Sequence, residues 1–133
     1  MAAIATLALN DSVPTSHDFD PASILNGIAK WEDRSGGIAV GFPAITMSMR
    51  PPVKGSDAYK LIIKVATPTL EQASSGGTFV PPPTKAYENL SVIEVMLPKR
   101  GTKLERQNHW AFTKNLLAHA VLTAAVEDFE TVY

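Results

Sequence analysis

Apolar and polar residues alternate with a period of two along Ile45–Arg50 and again along Tyr59–Ala66, which predicts two neighbouring strands. Ile45, Met47, Met49, Tyr59, Leu61, Ile63 and Val65 would share one face. Thr46, Ser48, Arg50, Lys60 and Lys64 would share the other, broken only by Ile62 and Ala66. Antiparallel closure through residues 51–58 is the simplest connection. Such a pair needs cover on its apolar side and offers cations and hydroxyls on its polar side.

The same pattern extends in both directions. Ile4–Leu9 predicts a first strand, Asn10-Asp11-Ser12 a turn and His17–Asp20 a return, so residues 1–20 form a hairpin that Pro21-Ala22-Ser23 then interrupts. From Leu25 to Trp31 the apolar residues fit helical and strand spacings equally well. Glu32–Gly37 reads as loop, and Tyr87–Leu97 as a further strand ended by Pro98. Between them, residues 69–83 make a long loop with Ser74-Ser75-Gly76-Gly77 at its tip, a length usual for functional or mobile segments. An antiparallel sheet is thus expected within residues 25–97, with Leu25–Trp31 left open between helix and strand.

Helix is predicted only at the end, over residues 102–129. Thr102-Lys103-Leu104-Glu105 has the form of a capping box, in which hydroxyl and carboxylate satisfy the unpaired amides of a first turn. Trp110, Phe112, Leu116, Leu117 and Ala120 fall on one broad arc, and after a break the stretch to Phe129 is almost wholly apolar. Strands first and helices last, without βαβ alternation, define an α+β antiparallel architecture. Two such helices carry more apolar surface than one small sheet can cover. An intimate homodimer burying on the order of 2,000 Å² would resolve this.

Composition narrows the chemistry. At 133 residues the chain is the size of one domain, able to bury roughly two thirds of its unfolded surface. A formal charge of −1 requires any cationic surface to be local. Cysteine is absent, which excludes disulfides and thiol catalysis. The apolar N-terminus lacks a basic region and no run reaches the ~18 apolar residues of a membrane span, so a soluble, intracellularly made protein is expected. His17, His109 and His119 include no pair at metal-ligand spacing, and neither Gly-Gly pair continues into a phosphate loop. No metal, cofactor or catalytic group is implied. Asp18 and Asp20 alternate on a predicted strand, and Glu94 is an acid in an apolar run; each reads more simply as a strand-end or polar-face residue. The polar sheet face could meet phosphates and bases, although an ordinary solvated face has the same pattern. A cellular dimeric α+β domain binding RNA or a small ligand, with Asp18, Asp20 and Glu94 as its acids, would also fit.

Along its full length the sequence resembles the coat proteins of the small positive-strand RNA bacteriophages, the leviviruses. The resemblance rests on the order of Asn26-Gly27-Ile28-Ala29-Lys30-Trp31, Ile45–Arg50, Tyr59–Pro68, the loop from Pro68 to Pro81, Thr102–Arg106 and the terminal Val132-Tyr133. It implies an N-terminal β-hairpin, a five-stranded antiparallel sheet and two C-terminal helices clasping a second subunit, in a single coat-protein domain over residues 1–133. It further implies dimers that build a T=3 icosahedral shell, with the loop gathered at symmetry axes, in a virion assembled in the host bacterial cytoplasm. The implied second partner is genomic RNA, bound through a hairpin that serves as packaging signal and represses replicase translation. By position, Thr46 and Ser48 match hydroxyls lining adenine pockets, and Lys64 a lysine beside them. Ile28 matches an aliphatic packing on a base; Lys30 lies on the same strand, and Arg50 and Lys60 match backbone contacts. Tyr87 and Asn89 match a stacking tyrosine and a polar contact. Ile62 stands where the best-known members carry a pocket threonine. The segment from Tyr87 is longer than usual, and a one-residue slip would turn Tyr87 and Asn89 to the helices.

Overall fold

A computed structural model describes residues 3–71 and 84–132. Strand β1 (Leu7–Asn10) pairs antiparallel with β2 (Ser16–Leu25) from Leu7↔Phe19 to Asn10↔Ser16. The predicted interruption at Pro21-Ala22-Ser23 does not end the strand. The register between β2 and β3 (Ile28–Glu32) steps between Pro21 and Ser23, which leaves Ala22 as the extra residue of a bulge. A bulge is one of the few strand positions that accommodates proline's missing N–H. The hairpin and the main sheet therefore share β2. The result is one six-stranded sheet in sequence order, where the sequence predicted a separate hairpin followed by five strands.

The ambiguous stretch around Leu25–Trp31 is a hairpin. Asn26 (φ 53°) and Gly27 (φ 75°) both adopt left-handed backbone, and Leu25 faces Ile28 across them. Two consecutive positive φ values define the tight turn whose twist matches the flanking strands, and Asn-Gly is its preferred dipeptide. Strand β4 (Ala44–Arg50) follows a single 3₁₀ turn at Ala39–Gly41. The long strands β5 (Ala58–Glu71) and β6 (Thr84–Pro98) pair from Ala58↔Pro98 to Glu71↔Thr84. Residues 69–71, expected in the loop, thus extend β5; residues 72–83, including the glycine-serine tip, lie outside the described residues, as do Met1, Ala2 and Tyr133. β6 is an edge strand, with one side of its backbone unpaired among the described residues.

Phe19, Trp31 and Ile45 form the buried centre, flanked by Ile4, Leu7, Ala29 and Val65. The Trp31 indole N–H donates to the Ala5 carbonyl at 2.8 Å, tying the chain ahead of β1 to the sheet. Helix α1 (Lys103–Leu117) begins with the predicted capping box. The Glu105 amide donates to Thr102 Oγ1 at 3.2 Å and the Thr102 amide to Glu105 Oε2 at 2.8 Å. Helix α2 (Ala120–Asp128) is capped by His119, whose Nδ1 accepts from the Val121 amide at 3.2 Å. Only the first turns of α1 approach the sheet, near Leu61, Val95 and Leu97. Phe112 remains 74% exposed and Leu116 57%, so beyond Trp110 the broad apolar arc predicted for α1 is left largely uncovered by the described residues.

Candidate nucleic-acid interface

Directly opposed residues in an antiparallel pair project to the same side. Applied across β3, β4, β5 and β6, this builds transverse rows on the polar face. One row runs Ile28, Ser48, Ile62, Glu94; the next runs Lys30, Thr46, Lys64, Val92. A third runs Arg50, Lys60, Met96. Eight of the ten residues singled out in the sequence therefore share one surface: Ile28, Lys30, Thr46, Ser48, Arg50, Lys60, Ile62 and Lys64.

Tyr87 and Asn89 do not join them. Asn89 opposes Thr67 and Tyr87 opposes Thr69, odd-numbered positions on the side of Ile63 and Val65. The residues β6 contributes to the polar face include Glu88, Leu90, Val92, Glu94 and Met96. A second bulge, between Thr69 and Leu70, sets the register of the outer end of this pair. The slip that the sequence allowed is the arrangement found, and the polar face carries exposed aliphatic side chains where a tyrosine was expected.

The electrostatics of this face are uneven. Lys60 Nζ lies 2.9 Å from Glu94 Oε1, and Lys30 Nζ lies 2.8 Å from Glu32 Oε1. Arg34 also reaches Glu32, at 3.4 Å. The bond from Lys30, then that from Arg34, holds the Glu32 carboxyl below its usual range. Among the described residues Arg50 and Lys64 form no ion pair, which leaves their charge available to a polyanion. Thr46 and Ser48 place hydroxyls beside Lys64 and Ile62. The surface thus combines two unneutralised cations, two hydroxyls and aliphatic contacts of base size, and nothing in it resembles a nucleophile activated by a neighbouring base. Glu94, opposite Ile62, is a polar-face residue. Asp20 accepts from the Thr6 hydroxyl at 3.0 Å, an ordinary strand contact.

The opposite face is apolar and open. A cavity of about 530 Å³ lies over Leu7, Ile24, Ala29, Trp31, Met47 and Ile63. Met47 and Met49, on the same face, are 41% and 51% exposed. Among the described residues, the sheet and the helices thus both expose apolar surface of the kind found at protein interfaces.

A model of the levivirus coat protein family matches residues 2–133, and the chain belongs to that family. It is a structural protein of the phage capsid and not an enzyme. The fold is similar to the subunit of the virus-like particle of bacteriophage NT-214, with a TM-score of 0.90 and 26% identity over 99% of this chain and 100% of that one. It is also similar to that of the virus-like particle of Beihai levi-like virus 21 (TM-score 0.88, 22% identity, 99% of both chains). The bacteriophage GA protein capsid aligns with a TM-score of 0.80 at 20% identity over 99% of both chains. Comparison with the curated proteins finds no match.

Proposed function

We propose that this coat protein assembles as homodimers into a closed T=3 icosahedral shell in the virion, after synthesis in the host bacterial cytoplasm. The polar sheet face lines the interior and holds the genome. There it binds an RNA hairpin that marks the genome for packaging and, when occupied, represses translation of the replicase. The observation that carries this reading is the division of the sheet. Eight residues suited to phosphate and base contact share one side, while the other side and both helices expose apolar surface that a second copy would bury. Self-assembly is further supported by the virus-like particles formed by structurally similar chains.

Lys64 and Arg50 are the cations expected to meet phosphates, Thr46 and Ser48 to hydrogen-bond unpaired bases, and Ile28 and Ile62 to pack on them. Lys30 and Lys60 contribute once RNA competes with Glu32 and Glu94 for their ammonium groups. The test is expression of the chain alone in bacteria, followed by size separation and imaging of the largest fraction. Uniform closed particles rich in nucleic acid are expected. Lys64→Ala should leave particles intact, weaken hairpin binding and flatten its salt dependence by about 0.7 in logarithmic slope per lost phosphate contact. A small species free of nucleic acid and indifferent to added RNA would overturn the capsid reading. Loss of the dimer in Lys64→Ala would show that the residue supports the fold and does not face RNA.

A further inference from the structure

His17 lies on β2 between two carboxylates that belong to different connections. Its Nε2 is 2.8 Å from Asp11 Oδ2 in the β1–β2 turn, and its Nδ1 is 3.1 Å from Asp33 Oδ2 just after β3. Each carboxylate anchors its own loop. Asp11 Oδ1 accepts from the amides of Val13 at 3.0 Å and Thr15 at 2.8 Å. Asp33 Oδ1 accepts from the Ser35 amide at 3.0 Å, and the Asp33 amide donates to the Pro43 carbonyl at 3.0 Å, which places this loop at the entrance to β4. The two acids differ in exposure: the side chain of Asp33 is 8% exposed and that of Asp11 38%.

We infer that His17 is a proton-dependent latch, which joins the β1–β2 turn to the β3–β4 loop when doubly protonated and releases the turn when it loses a proton. Carboxylates only accept, so both short contacts can be hydrogen bonds only if both ring nitrogens carry hydrogen. A neutral imidazole has a single N–H, and its other nitrogen would turn a lone pair toward an anion. The remaining N–H stays with Asp33, because an unpaired carboxylate costs more where water is excluded than where it is not. Asp11 can take water in its place and keeps its bonds to Val13 and Thr15. The groups facing the imidazole are Asp11 from the turn and Asp33 from the loop; among the described residues no cation competes, since Lys30 and Arg34 are engaged by Glu32.

The hydrogen bond to Asp11, then that to Asp33, raises the His17 pKa above its ordinary 6.5. A raised pKa means that the stabilisation from the closed latch is present below the ordinary 6.5 and is lost, as the latch opens, when pH climbs through the higher value of the folded protein. The experiment is hydrogen exchange on the full-length protein on either side of the His17 titration, corrected for intrinsic rates. Segments covering residues 7–16 and 84–98 are compared. Protection of the first should fall at least about threefold at the higher pH, with the second unchanged. In Asp11→Asn, which keeps an oxygen for the turn amides but presents an N–H₂ to the ring, protection of 7–16 should already be low at the acid condition and should rise rather than fall at the higher pH, where the neutral Nε2 accepts from that N–H₂. His17→Gln should be pH-independent. A wild-type turn whose protection ignores pH, or an Asp11→Asn turn that retains the full wild-type response, overturns the latch.

Discussion

Replacing Trp31 by phenylalanine isolates what the N-terminal segment contributes to the fold. Trp31 is 5% exposed at the centre of the core, and its indole N–H reaches the Ala5 carbonyl at 2.8 Å. The substitution removes that hydrogen bond, worth roughly 0.5–1.5 kcal/mol net. It also removes about two carbon groups of buried ring, at roughly 0.8 kcal/mol each. Together these give a loss of about 2–3 kcal/mol. In urea, with a slope of about 2 kcal/mol per molar for a chain of this size, the midpoint should fall by about 1 M. Circular dichroism at fixed protein concentration is the suitable readout, because the substitution deletes a fluorophore and association makes stability depend on concentration. A chain lacking residues 1–6 completes a double-mutant cycle. There the indole has no Ala5 carbonyl to lose, so Trp31→Phe should cost about 1 kcal/mol less than in the full chain. Equal costs in both backgrounds would refute the claim that this hydrogen bond ties the N-terminal segment to the sheet.

Gly27→Ala should destabilise by about 1–2 kcal/mol. A Cβ there meets nothing within 4 Å, so the cost arises from φ +75° alone, and a urea midpoint at the wild-type value would count against the turn geometry. Thr102→Ala removes the hydroxyl half of the capping box and should cost about 1 kcal/mol, read as earlier thermal loss of helical dichroism; Thr102→Ser should restore most of it. On the acid side, the Thr15 amide, then His17 and the Val13 amide, pull the Asp11 carboxyl from its ordinary 3.8 down to about 2. Because that pKa is depressed, its stabilisation is complete above 3.8 and is lost as pH falls through about 2. Asp11→Asn should therefore flatten the acid limb of the stability profile measured by urea midpoints.

The division of the sheet into two faces was legible because β4 and β5 alternate cleanly, and period two alone fixes which side each residue takes. The start of α1 was equally plain, since the capping box is a local four-residue signal. The hairpin at Asn26-Gly27 was obscured by Ile24, Leu25, Ile28 and Trp31, whose spacing suits a helix as well as a strand; the Asn-Gly dipeptide was the signal that favoured a turn. Tyr87 and Asn89 were misplaced for a different reason. Their side depends on how β6 is registered against β5, and β6 carries apolar residues at Leu90, Val92 and Met96 on the polar face as well as Ile93 and Val95 on the other. A strand apolar on both sides contains no alternation from which to read its register. The bulge at Ala22 was likewise silent, because one inserted residue beside a proline looks the same in sequence as the end of a strand.

The edge position of β6 joins the two proposed roles of the sheet. The three transverse rows through Thr46, Ser48 and Arg50 end on β6, at Val92, Glu94 and Met96, and β6 is an edge where, among the described residues, backbone groups are left unpaired. If the proposed homodimer pairs β6 with its counterpart in a second copy, each row would gain a counterpart and the residues of β6 would move from the margin of the RNA surface toward its middle. An RNA spanning that surface would contact both subunits and would bind the dimer in preference to the separated chains. By mass action its affinity then adds to the stability of the dimer. The apolar cavity on the far side and the cations on the near side would thus act on the same equilibrium. Substitutions that weaken the seat of the partner should lower RNA affinity at low protein concentration, with no RNA-facing residue altered.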